Sequence, residues 1–189
     1  MRILMLGNSF ISTNNLPSML AELTGAEVIS HTRGGARLAE QINPKTKMGA
    51  RTLQVLTDEK WDYVVMQEMS NAPATTTAKF METAGKLCTL IRENGAKPVF
   101  YATWAYKKDS DKMNSMPFSY EEMYQKMYDA YHRAAEQNQA LIADVGKAFF
   151  EQSEAMNLYA DDGCHPNMEG TKIATKVIAE TILRNWNAR

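Results

Sequence analysis

Three residues at opposite ends of the chain have the right chemistry to act together. Ser9 follows a short apolar run, and Asp162 and His165 stand three apart in Asp162-Gly163-Cys164-His165-Pro166-Asn167. A serine hydroxyl is a poor nucleophile until a base takes its proton. A neutral imidazole can take that proton and later return it to a leaving alkoxide. A carboxylate three residues earlier can reach the other ring nitrogen across one tight turn, fixing the tautomer and stabilising the imidazolium. Singly, each residue has a plainer reading: Ser9 as a turn or helix-capping serine, His165 as a solvated loop histidine, Asp162 as a surface acid beside Asp161. Together, in the order Ser, Asp, His, they read as a serine-hydrolase triad.

Such a triad needs hydrogen-bond donors aimed at the oxyanion of the tetrahedral intermediate, each worth about 3–4 kcal/mol in well-studied cases. The candidates are the backbone N–H of Ser9, the backbone N–H of Gly35, and the side-chain amide of Asn71. Gly34-Gly35 also reads as a simple turn, and Asn71 as a residue satisfying loop backbone. Asn8, Arg37 and Trp104 are the candidate substrate contacts, although Asn8 equally suits the sharp chain reversal at Ser9, Arg37 a solvated surface, and Trp104 the core.

Other chemistries fit less well. Position 11 is Ile, so the Gly-x-Ser-x-Gly elbow is absent. A phosphate-binding loop and a dinucleotide fingerprint are absent too. Cys164 adjoins His165, but neighbours in a tight loop rarely aim at each other. His31 and His132 have no metal-ligand spacing relative to His165, so neither a metal nor a cofactor is expected.

The elements that must position these residues follow from periodicity. Short apolar runs alternate with helical patterns, the signature of a parallel sheet covered on both faces. Expected strands are Arg2–Leu6, Ala26–His31, Tyr63–Gln67, Pro98–Thr103 and Ala140–Ala143. Expected helices are Leu16–Leu23, Thr46–Leu56, Thr76–Asn94, Tyr120–Gln137 and Met168–Asn185, with a short one within Asp144–Ser153. In open α/β sheets, ligands bind outside the carboxyl ends of the strands. Ser9, Gly34-Gly35, Ser70-Asn71 and Trp104 each follow a strand, and the Asp162–His165 loop precedes the last helix, so all five converge on one edge. The connection from Trp104 to Ser119 is long enough to be functional or mobile.

The 189 residues are 44% hydrophobic and 23% charged, with a formal net charge of −1. That suits a soluble single domain over residues 1–189. Nothing suggests a nucleic-acid footprint or a membrane span, and two cysteines are too few for a disulfide framework. Cys88 reads as a small core residue. The chain as written carries no export signal, an expectation of cytoplasmic location, with export by a trimmed leader as the alternative. Oligomeric state is left open, because the Met- and Tyr-rich stripe of Tyr120–Gln137 reads as a core face or a dimer surface.

Gly7-Asn8-Ser9-Phe10, Gly35, Asn71 and Asp162-x-x-His165-Pro166-Asn167-x-x-Gly170 resemble the four sequence blocks of the SGNH (GDSL-type) hydrolases, in order and across nearly the whole chain. Asn8 stands where the family usually has Asp, and Phe10 where it often has Leu. The third block departs more, since the family's Gly-x-Asn-Asp is replaced by Gln67-Glu68-Met69-Ser70-Asn71. Gln67 offers an amide donor like that of Gln-containing carbohydrate esterases in the family. The resemblance implies a three-layer α/β/α, flavodoxin-like fold with five parallel strands. It also implies cofactor-free ester hydrolysis through an acyl-serine intermediate, with Ser9 as nucleophile, His165 as base and acid, and Asp162 orienting it. The expected partner is a small-molecule ester, with an acetyl group on a carbohydrate favoured by a polar, aromatic rim. That rim comprises Ser12 to Asn15, Arg33, Arg37, Met69, Trp104 and Tyr106. A lysophospholipase or thioesterase, or a binding module with an impaired site, are the alternatives.

Overall fold

The computed structural model describes residues 1–188. Five strands form one parallel sheet: β1 (Arg2–Gly7), β2 (Glu27–Thr32), β3 (Tyr63–Met66), β4 (Lys97–Ala102) and β5 (Leu141–Asp144). Their spatial order is β2-β1-β3-β4-β5, and helices cover both faces in a three-layer α/β/α arrangement. The central strands read as unbroken apolar runs because both faces are buried. Leu4, Val64 and Phe100 have no exposed surface, whereas edge strand β2 keeps half-buried positions.

The helices in chain order are α1 (Ser9–Ser12), α2 (Leu16–Thr24), α3 (Leu38–Gln41), α4 (Lys47–Asp58), α5 (Ala72–Thr75), α6 (Thr77–Asn94), α7 (Asp111–Asn114), α8 (Tyr120–Gln137), α9 (Val145–Gln152) and α10 (Met168–Trp186). Local chemistry starts and stops the long ones. Ser119 and Glu122 close a reciprocal capping box at the head of α8. Asn167 caps α10 by accepting from the Gly170 amide at 3.0 Å. Gly95, at φ 94°, ends α6.

The stripe on α8 is a core face: Met123, Met127, Tyr131 and Ala134 are buried, and Tyr131 packs edge-on to Phe80 and Phe100. Cys88 is fully buried, as its apolar helix face implies, and burial pushes its thiol up to about 12. Among the described residues, no helix is long and apolar enough to cross a membrane.

One feature departs from the sequence reading. The Trp104–Ser119 connection carries helix α7 and is pinned to the loop before α10. The Lys107 amide donates to the Gly163 carbonyl at 2.8 Å, and Trp104 Nε1–H donates to the Cys164 carbonyl at 3.0 Å. Its function in the fold is to brace that loop. His132 is partly exposed on α8 and pairs its Nε2 with Asp144 Oδ2 at 2.7 Å, tying α8 to the end of β5.

Candidate active site

Parallel register brings the ends of β1, β3 and β4 to one edge. Leu6 lies beside Met66, and Met66 beside Phe100. The chain leaving each strand therefore opens onto the same side. Ser9 is the first residue of α1, directly after β1, and its Oγ lies 2.8 Å from His165 Nε2. His165 Nδ1 lies 2.6 Å from Asp162 Oδ2. The other carboxylate oxygen, Oδ1, accepts the amides of Cys164 and His165, both at 2.9 Å.

These bonds fix the proton positions. Partial burial pushes the Asp162 pKa up, but hydrogen bonds from the His165 ring and the two amides outweigh it and hold the carboxyl at about 2. The ionised carboxylate accepts from Nδ1–H, which leaves Nε2 as the acceptor for the Ser9 hydroxyl. The Phe10 ring meets the imidazole edge-on at 5.4 Å. That is the geometry in which a base can draw a proton from a nucleophile.

The turn carrying Asp162 and His165 depends on Gly163, whose φ is +66°. A Cβ there would lie 2.6 Å from the Ser110 Cβ, so both backbone and space require glycine. Asn14 ties the two ends of the chain together by donating to the Pro166 carbonyl at 3.2 Å and to Thr171 Oγ1 at 2.9 Å. It belongs to the support of the site, not to its rim.

The candidate oxyanion donors differ in how free they are. Among the described residues, the amides of Ser9 and Gly35 meet no protein acceptor. Gly35 is exposed at φ +68°, a backbone conformation that suits glycine. Asn71 is half-buried, and its amide meets only the thioether of Met116 at 3.7 Å, a weak acceptor. Gln67 is fully buried, with Oε1 accepting from the Asn8 amide at 3.0 Å and Nε2 donating to the Glu68 carbonyl. Both ends of that amide are committed inside the protein.

The three candidate substrate contacts fall in different places. Trp104 is 1% exposed, stacked between Phe10 (4.8 Å) and Phe149 (3.9 Å), so it is a core residue and not a sugar platform. Aromatic packing won because its indole N–H finds a buried carbonyl partner. Asn8 is 3% exposed; it caps α1 through Phe10 and donates its Nδ2–H to the Ala36 carbonyl at 3.1 Å. It holds the Gly34–Ala36 turn against β1 and is not positioned as a substrate contact. An aspartate could not make that donation, which is a physical reason for Asn at this position. Arg37 is half-buried and lies 3.3 Å from Thr76 Oγ1. Tyr106 is also buried, its hydroxyl 2.9 Å from Ser70 Oγ.

Sequence reasoning passed over Glu68. Its side chain is nearly fully buried, and one oxygen accepts the amides of Leu38 (3.3 Å) and Met69 (2.6 Å). It thereby ties the turn after β2 to the turn after β3, and burial raises its pKa. A charged residue directly after a strand end was the available signal. Cys164 is buried, which raises its thiol pKa and leaves it a poor nucleophile. Among the described residues, no cluster of three or more His, Cys, Asp or Glu could hold a metal ion.

Beside Asp162 lies a polar cavity of about 500 Å³ lined by Lys107, Lys108, Asp109, Asp111 and Asp161 among others.

Comparison with known proteins supplies the remaining context. Residues 42–148 match the family described as "Domain of unknown function (DUF4886)". A solved structure described as "a putative SGNH hydrolase from Slackia heliotrinireducens" is 47% identical, with a TM-score of 0.93, covering 96% of this chain and 98% of that one. A DUF4886 family protein from Bacteroides uniformis is 20% identical, with a TM-score of 0.73 over 97% of this chain and 83% of its own. An acetyl-xylooligosaccharide esterase from Geobacillus stearothermophilus is 13% identical, with a TM-score of 0.72 over 96% and 93%. The last two likenesses are of fold. No curated protein matches the chain.

Proposed function

The chain belongs to the DUF4886 family, on the SGNH-hydrolase side of the α/β/α folds, and from that premise we propose that it is a serine esterase for small acyl esters. The observation that carries the reading is the continuous relay of Ser9 Oγ, His165 Nε2, His165 Nδ1 and Asp162 Oδ2 at 2.8 and 2.6 Å.

In this reading, Ser9 Oγ attacks the ester carbonyl as its proton passes to His165 Nε2. The imidazolium is stabilised by Asp162, which keeps its charge throughout. The Ser9 and Gly35 amides, with the Asn71 side chain, receive the oxyanion. Collapse of the tetrahedral intermediate breaks the ester C–O bond, and His165 gives its proton to the departing alcohol. Water then attacks the acyl-serine carbonyl, losing a proton to His165, and release of the acid returns the proton to Ser9. No cofactor enters these steps.

Substrate size is argued from the surroundings. The proposed oxyanion donors sit on solvent-reaching polar turns, Gly35 exposed and Asn71 half-buried, and Trp104 and Tyr106 are withdrawn into the core. An acetyl group on a hydroxylated alcohol such as a sugar suits these walls better than a long lipid chain, which needs an apolar channel. The test is hydrolysis of p-nitrophenyl esters from acetate to palmitate. Highest kcat/KM on acetate, abolished in Ser9→Ala, is expected. A maximum at eight or more carbons would assign the site to a lipase or thioesterase instead.

A further inference from the structure

Asn71 has a fixed backbone and a side chain held by a single contact. It is the N-cap residue of α5, yet its side chain makes no capping bond. The Asn71 carbonyl accepts from the Ala74 and Thr75 amides at 3.1 and 3.0 Å and from the Thr75 hydroxyl at 2.9 Å. The half-buried side chain donates from Nδ2 to the Met116 sulfur at 3.7 Å, its one hydrogen bond among the described residues.

A thioether accepts and cannot donate. Met116 therefore selects the nitrogen end of the Asn71 amide, which carries two protons. One meets the sulfur, and the other is left for a ligand. Without that contact, roughly three χ1 wells and two amide directions are open to the side chain.

Met116 is itself placed from the triad turn. The Lys107 amide donates to the Gly163 carbonyl at 2.8 Å, and the Lys107 carbonyl accepts the Ser110 hydroxyl at 2.7 Å. Ser110 Oγ caps α7 by accepting from the Met113 amide at 3.2 Å. The carbonyl of Met113, a buried residue, accepts the Met116 amide at 3.0 Å. An unbroken run of bonds thus leads from the turn between Asp162 and His165 to the sulfur that meets Asn71.

We propose that Met116 is a positioning residue for catalysis: its thioether holds the Asn71 amide so that the second N–H is kept for the oxyanion. The Trp104–Ser119 connection then ties the oxyanion donor to the triad turn. This role depends on Asn71 being an oxyanion donor, the reading given above. Met116 touches no reacting atom in it and acts through Asn71.

The test compares Met116→Leu, close in volume but without an acceptor, with Met116→Gln, which restores one. Met116 is half-buried, so neither change empties the core, and a thermal melt checks folding. Hydrolysis of p-nitrophenyl acetate is measured for each variant alone and combined with Asn71→Ala. Spreading the amide over as many as about six orientations lowers the share that can donate. Met116→Leu should therefore lose about three- to sixfold in kcat with KM within about twofold, as expected for a contact felt in the transition state. Met116→Gln should recover most of that loss. In the Asn71→Ala background, Met116→Leu should make no further difference, because residues that act through one bond do not add. ¹⁵N relaxation of the Asn71 side-chain amide, assigned by its disappearance in Asn71→Ala, reads the same contact without turnover. Its order parameter should be in the rigid range in the parent and fall below about 0.6 in Met116→Leu. Parental kcat or an unmoved order parameter in Met116→Leu would overturn the proposal. An equal loss in the Asn71→Ala background, or no recovery in Met116→Gln, would also overturn it and make Met116 a packing residue. Activity that is lost in Ser9→Ala and Asn71→Ala but indifferent to Met116→Leu would sink the role of Met116 alone. An inactive parent, or Asn71→Ala at parental turnover, would sink the esterase or the oxyanion reading and this role with it.

Discussion

Asp162→Asn should remove most turnover while leaving the fold in place, and the geometry says why the two effects separate. Oδ1 accepts the Cys164 and His165 amides, and an asparagine carbonyl can keep both bonds. Oδ2 faces His165 Nδ1 at 2.6 Å, where asparagine presents an N–H₂ donor. The imidazole must then accept at Nδ1, so its proton moves to Nε2 and the group facing Ser9 Oγ becomes a donor. A base in the wrong tautomer costs about 10⁴-fold in turnover in the well-studied triad, and a loss of that order is expected here. The stability cost is small. A depression of the carboxyl from 3.8 to about 2 corresponds to about 2.5 kcal/mol if fully buried, but the side chain is 41% exposed, and screening reduces this to about 1 kcal/mol. Because the folded pKa lies below the unfolded one, that stabilisation is present above about pH 4 and fades as the pH falls toward 2. Hydrolysis of p-nitrophenyl acetate at pH 8 and a thermal melt measure the two effects. Turnover within tenfold of the parent would refute the assigned role of Asp162.

Asn71→Ala should lower kcat on the order of 100-fold with stability nearly unchanged, whereas Gln67→Ala should destabilise by about 1–3 kcal/mol by orphaning the Asn8 amide and the Glu68 carbonyl; the reverse pattern in paired kinetics and melts would make Gln67 the oxyanion donor. Trp104→Ala should cost about 3–5 kcal/mol by emptying the stack between Phe10 and Phe149, measured by urea unfolding, and a merely weakened KM in a stable variant would return Trp104 to the substrate. Glu68→Gln keeps one oxygen for the Leu38 and Met69 amides while removing a buried charge. The raised folded pKa means that the parent loses stability as pH rises from the ordinary carboxyl range through it, so the variant should gain on the parent as the pH rises over that interval, and a parallel pair of stability curves would contradict the burial argument.

Much of the architecture was legible because the physics behind it is local. Each of the five expected strands begins or ends within one residue of its observed position, since unbroken apolar runs mark doubly buried strands. Helix Tyr120–Gln137 matches at both ends, where a capping serine and a three-residue acidic partner stand in sequence. The four-residue helices α1, α3, α5 and α7 had no period long enough to show. Proximity of Ser9, Asp162 and His165 was readable from their types and strand-end positions. The functions of Asn8, Trp104 and Gln67 were not, because each is set by a partner distant in sequence: Ala36, Cys164 and Asn8 respectively. A side chain's residue type says which bonds it can make, and only the fold says whether the protein or a ligand supplies the partner.

The reading of this chain as a serine esterase rests on an activated Ser9, and covalent labelling tests that directly. The protein treated with a fluorophosphonate probe should gain one label, mapped by mass spectrometry to Ser9, with labelling lost in Ser9→Ala and strongly slowed in His165→Ala. A parent protein that stays unlabelled, or a label that persists in Ser9→Ala, would contradict it.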